Sequence, residues 1–175
     1  MTGIEEGAVC WYAARVEPQT EKYFKKWLGI KGIDHFIPFR TIVIEYNGRE
    51  KKKENPLIPC IVFIRTTYDT ALSLPDELGF KMSYIRNHDT REIQIVPDKQ
   101  MQDCMFLFNR SDNPVPHIAG ANLARGDKVR VIKGPFMGIE GESVRIKGHR
   151  RVIVRLEGIL SLITPYIPLE SLEKI

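Results

Sequence analysis

Residues 126–147, GDKVRVIKGPFMGIEGESVRIK, constrain this chain more than any other stretch. Gly126-Asp127 is a turn pair, and Lys128-Val129-Arg130-Val131 alternates polar and apolar as a half-buried strand does. Gly134-Pro135 stops that strand. Gly138 and Gly141 follow, and glycine so placed supplies a positive φ or lets two backbones approach closely. Glu142-Ser143-Val144-Arg145-Ile146-Lys147 then alternates again. Two charged strands around a glycine-studded turn predict a small, tightly curled β-barrel. Val152-Ile153-Val154-Arg155-Leu156, residues 159–163, Tyr166-Ile167-Pro168-Leu169 and Leu172 complete it.

A chain of 175 residues has room for a medium domain before that barrel. Its hydrophobic content of 43% packs a core and argues against wholesale disorder. The net charge of +4 is too small to predict nucleic-acid binding by itself, so any such contact must be local. Cys10, Cys60 and Cys104 are odd in number and widely spaced, with no Cys-x-x-Cys and no histidine at ligand spacing. That pattern speaks against a disulfide framework or a zinc site and for a reducing cytoplasm. The N-terminus lacks the basic and apolar regions of a signal peptide, and no apolar run is long enough to cross a bilayer. No membrane partner, metal or cofactor is expected.

In chain order, Val9–Val16 reads as a strand of bulky and β-branched residues. Pro18 and Thr20 open a helix in which Tyr23, Phe24, Trp27 and Leu28 share one face, ended by Gly29 or Gly32. Residues 36–46 are extended. Asn47-Gly48 is the strongest hairpin signal in the chain, because a type I′ turn needs φ > 0 at both central positions. The returning arm, Arg49-Glu50-Lys51-Lys52-Lys53-Glu54, projects into solvent or onto a polyanion. Residues 57–64 are nearly continuous apolar sequence, as in a central strand covered on both faces. A polar loop at Thr66-Thr67-Tyr68-Asp69-Thr70 leads into a short helical or irregular stretch ending at Pro75. Two short strands, 81–85 and 92–96, flank the turn Asn87-His88-Asp89. A second helix starts near Pro97-Asp98, with Met101, Cys104, Met105 and Phe108 on one face. Residues 109–122, with two prolines and a glycine, read as a linker.

This order describes an α+β domain with an antiparallel sheet flanked by helices, followed by the small β-barrel. The residues Gly126, Asp127, Val129, Val131, Gly134, Pro135, Phe136, Gly138 and Gly141 resemble the KOW motif, and the barrel is accordingly SH3-like. Trp11-Tyr12, Phe36-Ile37-Pro38, the charged hairpin, residues 57–63 and Ile95-Val96-Pro97 resemble the NGN domain of the NusG family. The resemblance assigns 8–110 to an NGN domain, 111–123 to a linker and 124–175 to a KOW domain. The hairpin and Val96-Pro97 look most like the specialised UpxY-type antiterminators of capsular polysaccharide operons and, more distantly, RfaH. Cys60 departs from the glycine usual after that proline in general NusG proteins, and Arg15 stands where RfaH has an aromatic.

The resemblance implies a transcription elongation or antitermination factor that binds the clamp coiled coil of RNA polymerase and favours processive elongation. By motif position the apolar docking residues are Ile61, Phe63, Ile85, Met101 and Met105, although Met and Phe at such spacings also suit a core. Thr66, Thr67 and Tyr68 stand where a second polymerase contact is expected. Arg15, Lys22, Lys25 and Lys26 are candidates for phosphate contacts to the non-template DNA strand. The KOW domain would recruit Rho or a small-subunit ribosomal protein, and Arg145, Lys147, His149, Arg150, Arg151 and Arg155 around one hairpin could meet RNA or an acidic partner. The alternatives are a general NusG coupling polymerase to Rho or the ribosome, and a KOW-type RNA-binding ribosomal protein. No phosphate-binding loop or nucleophile elbow is present, and His35, His88, His117 and His149 are scattered, so no catalytic residue is assigned.

Overall fold

A computed structural model describes residues 5–110, 117–119 and 125–175. The chain divides into two compact units, Met1–Ile95 and Val96–Ile175. In the first, β1 (Val9–Val16) leads to α1 (Glu21–Ile30), β2 (Asp34–Phe36), β3 (Phe39–Tyr46) and β4 (Arg49–Pro56). Then come β5 (Ile61–Thr67), α2 (Tyr68–Glu77), β6 (Met82–Tyr84) and β7 (Ile95–Val96). The main sheet runs β2-β5-β1-β6, with β7 also paired to β1. β1 and β5 are antiparallel, placing Ala13 opposite Phe63 and Arg15 opposite Ile61.

Period-2 alternation sorts this sheet into two faces. Ala14, Val16, Val62 and Ile64 cluster with Phe24 and Leu28 of α1 and Leu74 of α2. α1 ends as a Schellman motif: Gly32, at φ +67°, donates to Gly29 O, and Ile33 N–H reaches Leu28 O at 3.0 Å. Gly32 is therefore the terminator and Gly29 lies within the last turn. The other face carries Trp11, Ala13, Ile61 and Phe63, which are buried as well.

Two sequence expectations need correction here. The strand expected over 57–64 begins only at Ile61, because Cys60 adopts a left-handed φ of +61°. That backbone explains why glycine suits the position, since Cβ makes the left-handed region costly for other residues. The Cys60 N–H is held by the buried Glu21 carboxylate at 2.8 Å. The expected polar loop at 66–70 is instead the end of β5 and the start of α2, where Thr67 Oγ1 accepts from Thr70 N–H at 3.3 Å as an N-cap. α2 continues through Pro75, anchored by the buried Ala71 and Leu74.

The second unit contains α3 (Asp98–Asn109), β8 (His117–Ala119), β9 (Asp127–Val131), β10 (Glu140–Ile146), β11 (His149–Leu156), β12 (Leu160–Ile163), a 3-10 turn at Leu169–Ser171 and β13 (Leu172–Lys174). The strands run β13-β9-β10-β11-β12-β8, all antiparallel neighbours. Lys147 and Gly148, at φ +49° and +80°, make the two-residue turn between β10 and β11. Among the described residues no pairing joins β13 to β8, so the sheet is open and the closed SH3-like barrel is not seen. One edge is taken by β8, which comes from the segment expected to be linker. The remainder of 111–123 lies outside the described residues.

The helix α3, expected within a first domain spanning 8–110, groups with the second unit. It packs against β11, whose residues Val152–Leu156 are buried on both faces. Lys99 Nζ donates to Gly138 O at 2.8 Å, and the Glu140 N–H donates to Asp103 Oδ2 at 3.1 Å. Arg110 also donates to Pro135 O.

Candidate functional site

Four of the five apolar residues expected to form a docking surface are buried. Phe63 and Met101 are fully buried, and Ile61 and Ile85 nearly so. Only Met105 is half-buried. Alternation puts Ile61 and Phe63 together on the sheet face opposite α1, and the Phe63 ring lies 6.4 Å from Phe36. On α3 the buried set is Met101, Asp103, Cys104 and Leu107, which leaves Met105 and Phe108 half-buried and Phe106 exposed. Leu107 replaces Met105 in the buried stripe, a rotation of one helical position that an apolar count cannot resolve.

Burial also tunes the titratable groups of α3. It pushes the Asp103 carboxyl above its ordinary value, against the opposing hydrogen bonds from Lys99 at 2.6 Å and from the Glu140 backbone. It pushes the Cys104 thiol to about 12, which makes this sulfur an inert packing group. Among the described residues, no group of three or more His, Cys, Asp or Glu is placed to hold a metal ion. No helix among them is long and apolar enough to cross a membrane.

The second expected contact, Thr66-Thr67-Tyr68, is half-buried at the β5–α2 junction. Tyr68 packs against the Tyr12, Ala71 and Ile93 cluster, so part of it belongs to the core. Of the cations proposed for phosphate contacts, Arg15 and Lys26 are exposed. Lys22 is paired with Glu54 at 2.8 Å, and Lys25 Nζ sits 5.1 Å above the Phe39 ring. Hydrogen bonding and charge from Lys22 hold the Glu54 carboxyl below its ordinary value. The sequence alone gave no sign of an exposed aromatic pair, Tyr23 and Phe80, with ring centroids 4.5 Å apart. Tyr23 reads as part of the apolar face of α1, and Phe80 lies in a segment without periodicity.

In the second unit the basic cluster is only partly a surface. Arg145, Lys147 and His149 are exposed, whereas Arg150 donates to Ser143 Oγ at 3.0 Å and Arg151 to Thr164 O at 3.0 Å. Arg155 is buried and bonded to Glu142 at 3.1 and 3.2 Å. With Glu142 it forms a structural ion pair within the second unit. Around it, Arg125, Lys128, Glu140 and Glu157 rim a cleft of about 380 Å³ between α3 and the sheet.

The strand–helix–ribbon–strand order of the first unit and the start of α3 coincide with a family model. The model described as transcription termination factor NusG matches residues 9–105, more than half of the chain. The chain belongs to the NusG family. Curated NusG relatives include the transcription termination/antitermination proteins of Streptococcus pyogenes serotypes M3 and M1, each 25% identical over 119 residues. Those alignments cover 65% of this chain and 63% of each relative, so the chain spans less than two thirds of their length. A solved structure described as domain interaction in Thermotoga maritima NusG is matched with a TM-score of 0.47 and 19% identity, over 96% of this chain and 98% of that one.

Proposed function

We propose that this NusG-family chain is a transcription elongation and antitermination factor that binds RNA polymerase and makes no covalent bond itself. The observation that carries the reading is the family match across residues 9–105, which takes in both the β1–β5 sheet and α3. Docking on the clamp coiled coil would use the apolar side chains Ile61, Phe63, Ile85, Met101 and Met105, and a second lobe would be met by Thr66, Thr67 and Tyr68. Met105, with the neighbouring exposed Phe106, is the reachable member of that set, and the four buried members need uncovering before they can dock. Binding the closed polymerase better than the paused one then shifts the population toward elongation, by no more than the difference in affinity.

The second unit, with its six-stranded antiparallel sheet, is read as a KOW domain of the SH3-like class, with Rho or a small-subunit ribosomal protein as its partner class. The charged ribbon and Val96-Pro97 favour a specialised factor acting in the cytoplasm on particular operons, such as those for capsular polysaccharide. The relatives' names favour a second reading, a general NusG that serves termination as well. In vitro transcription with purified polymerase, template and Rho separates them. Added chain is expected to raise read-through at the terminators of its target operon; reduced read-through there would overturn the specialised reading in favour of the general one.

A further inference from the structure

The β3–β4 ribbon forms a two-stranded sheet of its own. Its sequence looks like an unsorted run of charges, but its register is not unsorted. Asn47 and Gly48, at φ +52° and +71°, fix the turn, so Tyr46 faces Arg49, Ile44 faces Lys51, Ile42 faces Lys53 and Arg40 faces Asn55. Directly opposed residues of an antiparallel pair project to the same side, and successive residues alternate sides. One face therefore carries Arg40, Arg49, Lys51 and Lys53 with no carboxylate. The other carries Glu45, Glu50 and Glu54 with Lys52.

The four cations are exposed, and among the described residues none of them has an ion-pair partner. All three of the ribbon's carboxylates point the other way. That opposite face is the one turned to α1, through the Lys22–Glu54 pair and Lys25 over Phe39. The basic face thus points away from the body of the first unit. Ile42 and Ile44, on the same face and opposite Lys53 and Lys51, are half-buried.

We infer that this basic face is a binding surface for the DNA double helix. Arg49, Lys51 and Lys53 repeat every two residues along β4, roughly 6.7 Å apart, a row of cations that complements the line of phosphate charges along a DNA strand. Two strands about 4.8 Å apart fit a major groove about 12 Å wide, which admits a β-ribbon. Single-stranded nucleic acid is the poorer match, since stacking platforms need several aromatics and this face offers Tyr46 alone. The surface is distinct from Arg15 and the α1 lysines, and its use does not depend on polymerase.

The test is fluorescence anisotropy of the full chain with a labelled mixed-sequence duplex, without polymerase, titrated from about 50 to 200 mM salt. Wild type is expected to bind, more weakly as salt rises. Lys51→Gln/Lys53→Gln should weaken binding by about tenfold or more at the lowest salt and reduce the log–log salt slope by about 1.8. Lys52→Gln, on the same strand but the other face, should stay within about twofold, since it touches no phosphate. All three sites are exposed, and melting curves check that the ribbon's unit stays folded. The inference is overturned by equal losses in both variants, by no duplex binding at the lowest salt, or by tighter binding of the single strand. Binding of an acidic polypeptide in place of the duplex would overturn it too. Each outcome leaves the polymerase reading untouched.

Discussion

Arg155→Ala is expected to destabilise the second unit by about 3–5 kcal/mol, the cost of leaving a buried carboxylate without its partner. Glu142 and Arg155 lie on neighbouring strands β10 and β11, and both are nearly removed from solvent. Burial alone would raise the Glu142 carboxyl, but the Arg155 hydrogen bonds, the Gly126 N–H at 3.2 Å and nearby Arg125 outweigh it and hold it below its ordinary 4.5. Because the folded value is depressed, the stabilisation is complete above the unfolded value and is lost as pH falls through the folded one. Urea unfolding of the wild type should therefore weaken below about pH 4.5, whereas Glu142→Gln should lose much of that acid dependence. Replacing both residues with apolar side chains of similar volume should recover most of the loss. A single Arg155→Ala variant as stable as wild type would contradict this account.

Gly141→Ala is the second large effect. A Cβ at Gly141 would lie 2.3 Å from Ile153 O and 2.8 Å from Val152 Cγ1, so β10 could not keep its place beside β11. The obstacle is backbone and core at once, and the expected cost exceeds about 3 kcal/mol. Gly148→Ala is the contrast: its Cβ meets open space and only the φ of +80° is strained, a cost of about 1–2 kcal/mol. Thermal melts of the two variants should rank in that order. Equal melting temperatures would show that the β10–β11 approach is looser than the distances state.

What the sequence could convey depended on how local each determinant is. The Asn47-Gly48 turn, β1 and the start of α3 were readable because a turn residue or a run of period 2 carries its own signal. The strand start at Ile61 was hidden, since nothing in an apolar run marks Cys60 as left-handed. α2 was cut short in the reading at Pro75, which in the fold lies in the last turn and forfeits a single backbone donor. The site residues were harder still. Phe63 and Met101 look the same in sequence whether they cover a core or greet a partner, and only burial separates the two. Arg155 reads as one more cation until the register brings it diagonally across from Glu142. The two-faced ribbon likewise exists only once Ile44 is known to oppose Lys51.

In the proposed function this chain engages RNA polymerase reversibly and non-covalently. Gel filtration of the full chain mixed with purified bacterial core polymerase at low salt tests it most directly. The expected result is co-elution in a stoichiometric complex, diminished by Met105→Ser/Phe106→Ser, two positions that lie outside the buried stripe of α3. A folded chain that elutes alone, at every ratio to polymerase, would contradict it.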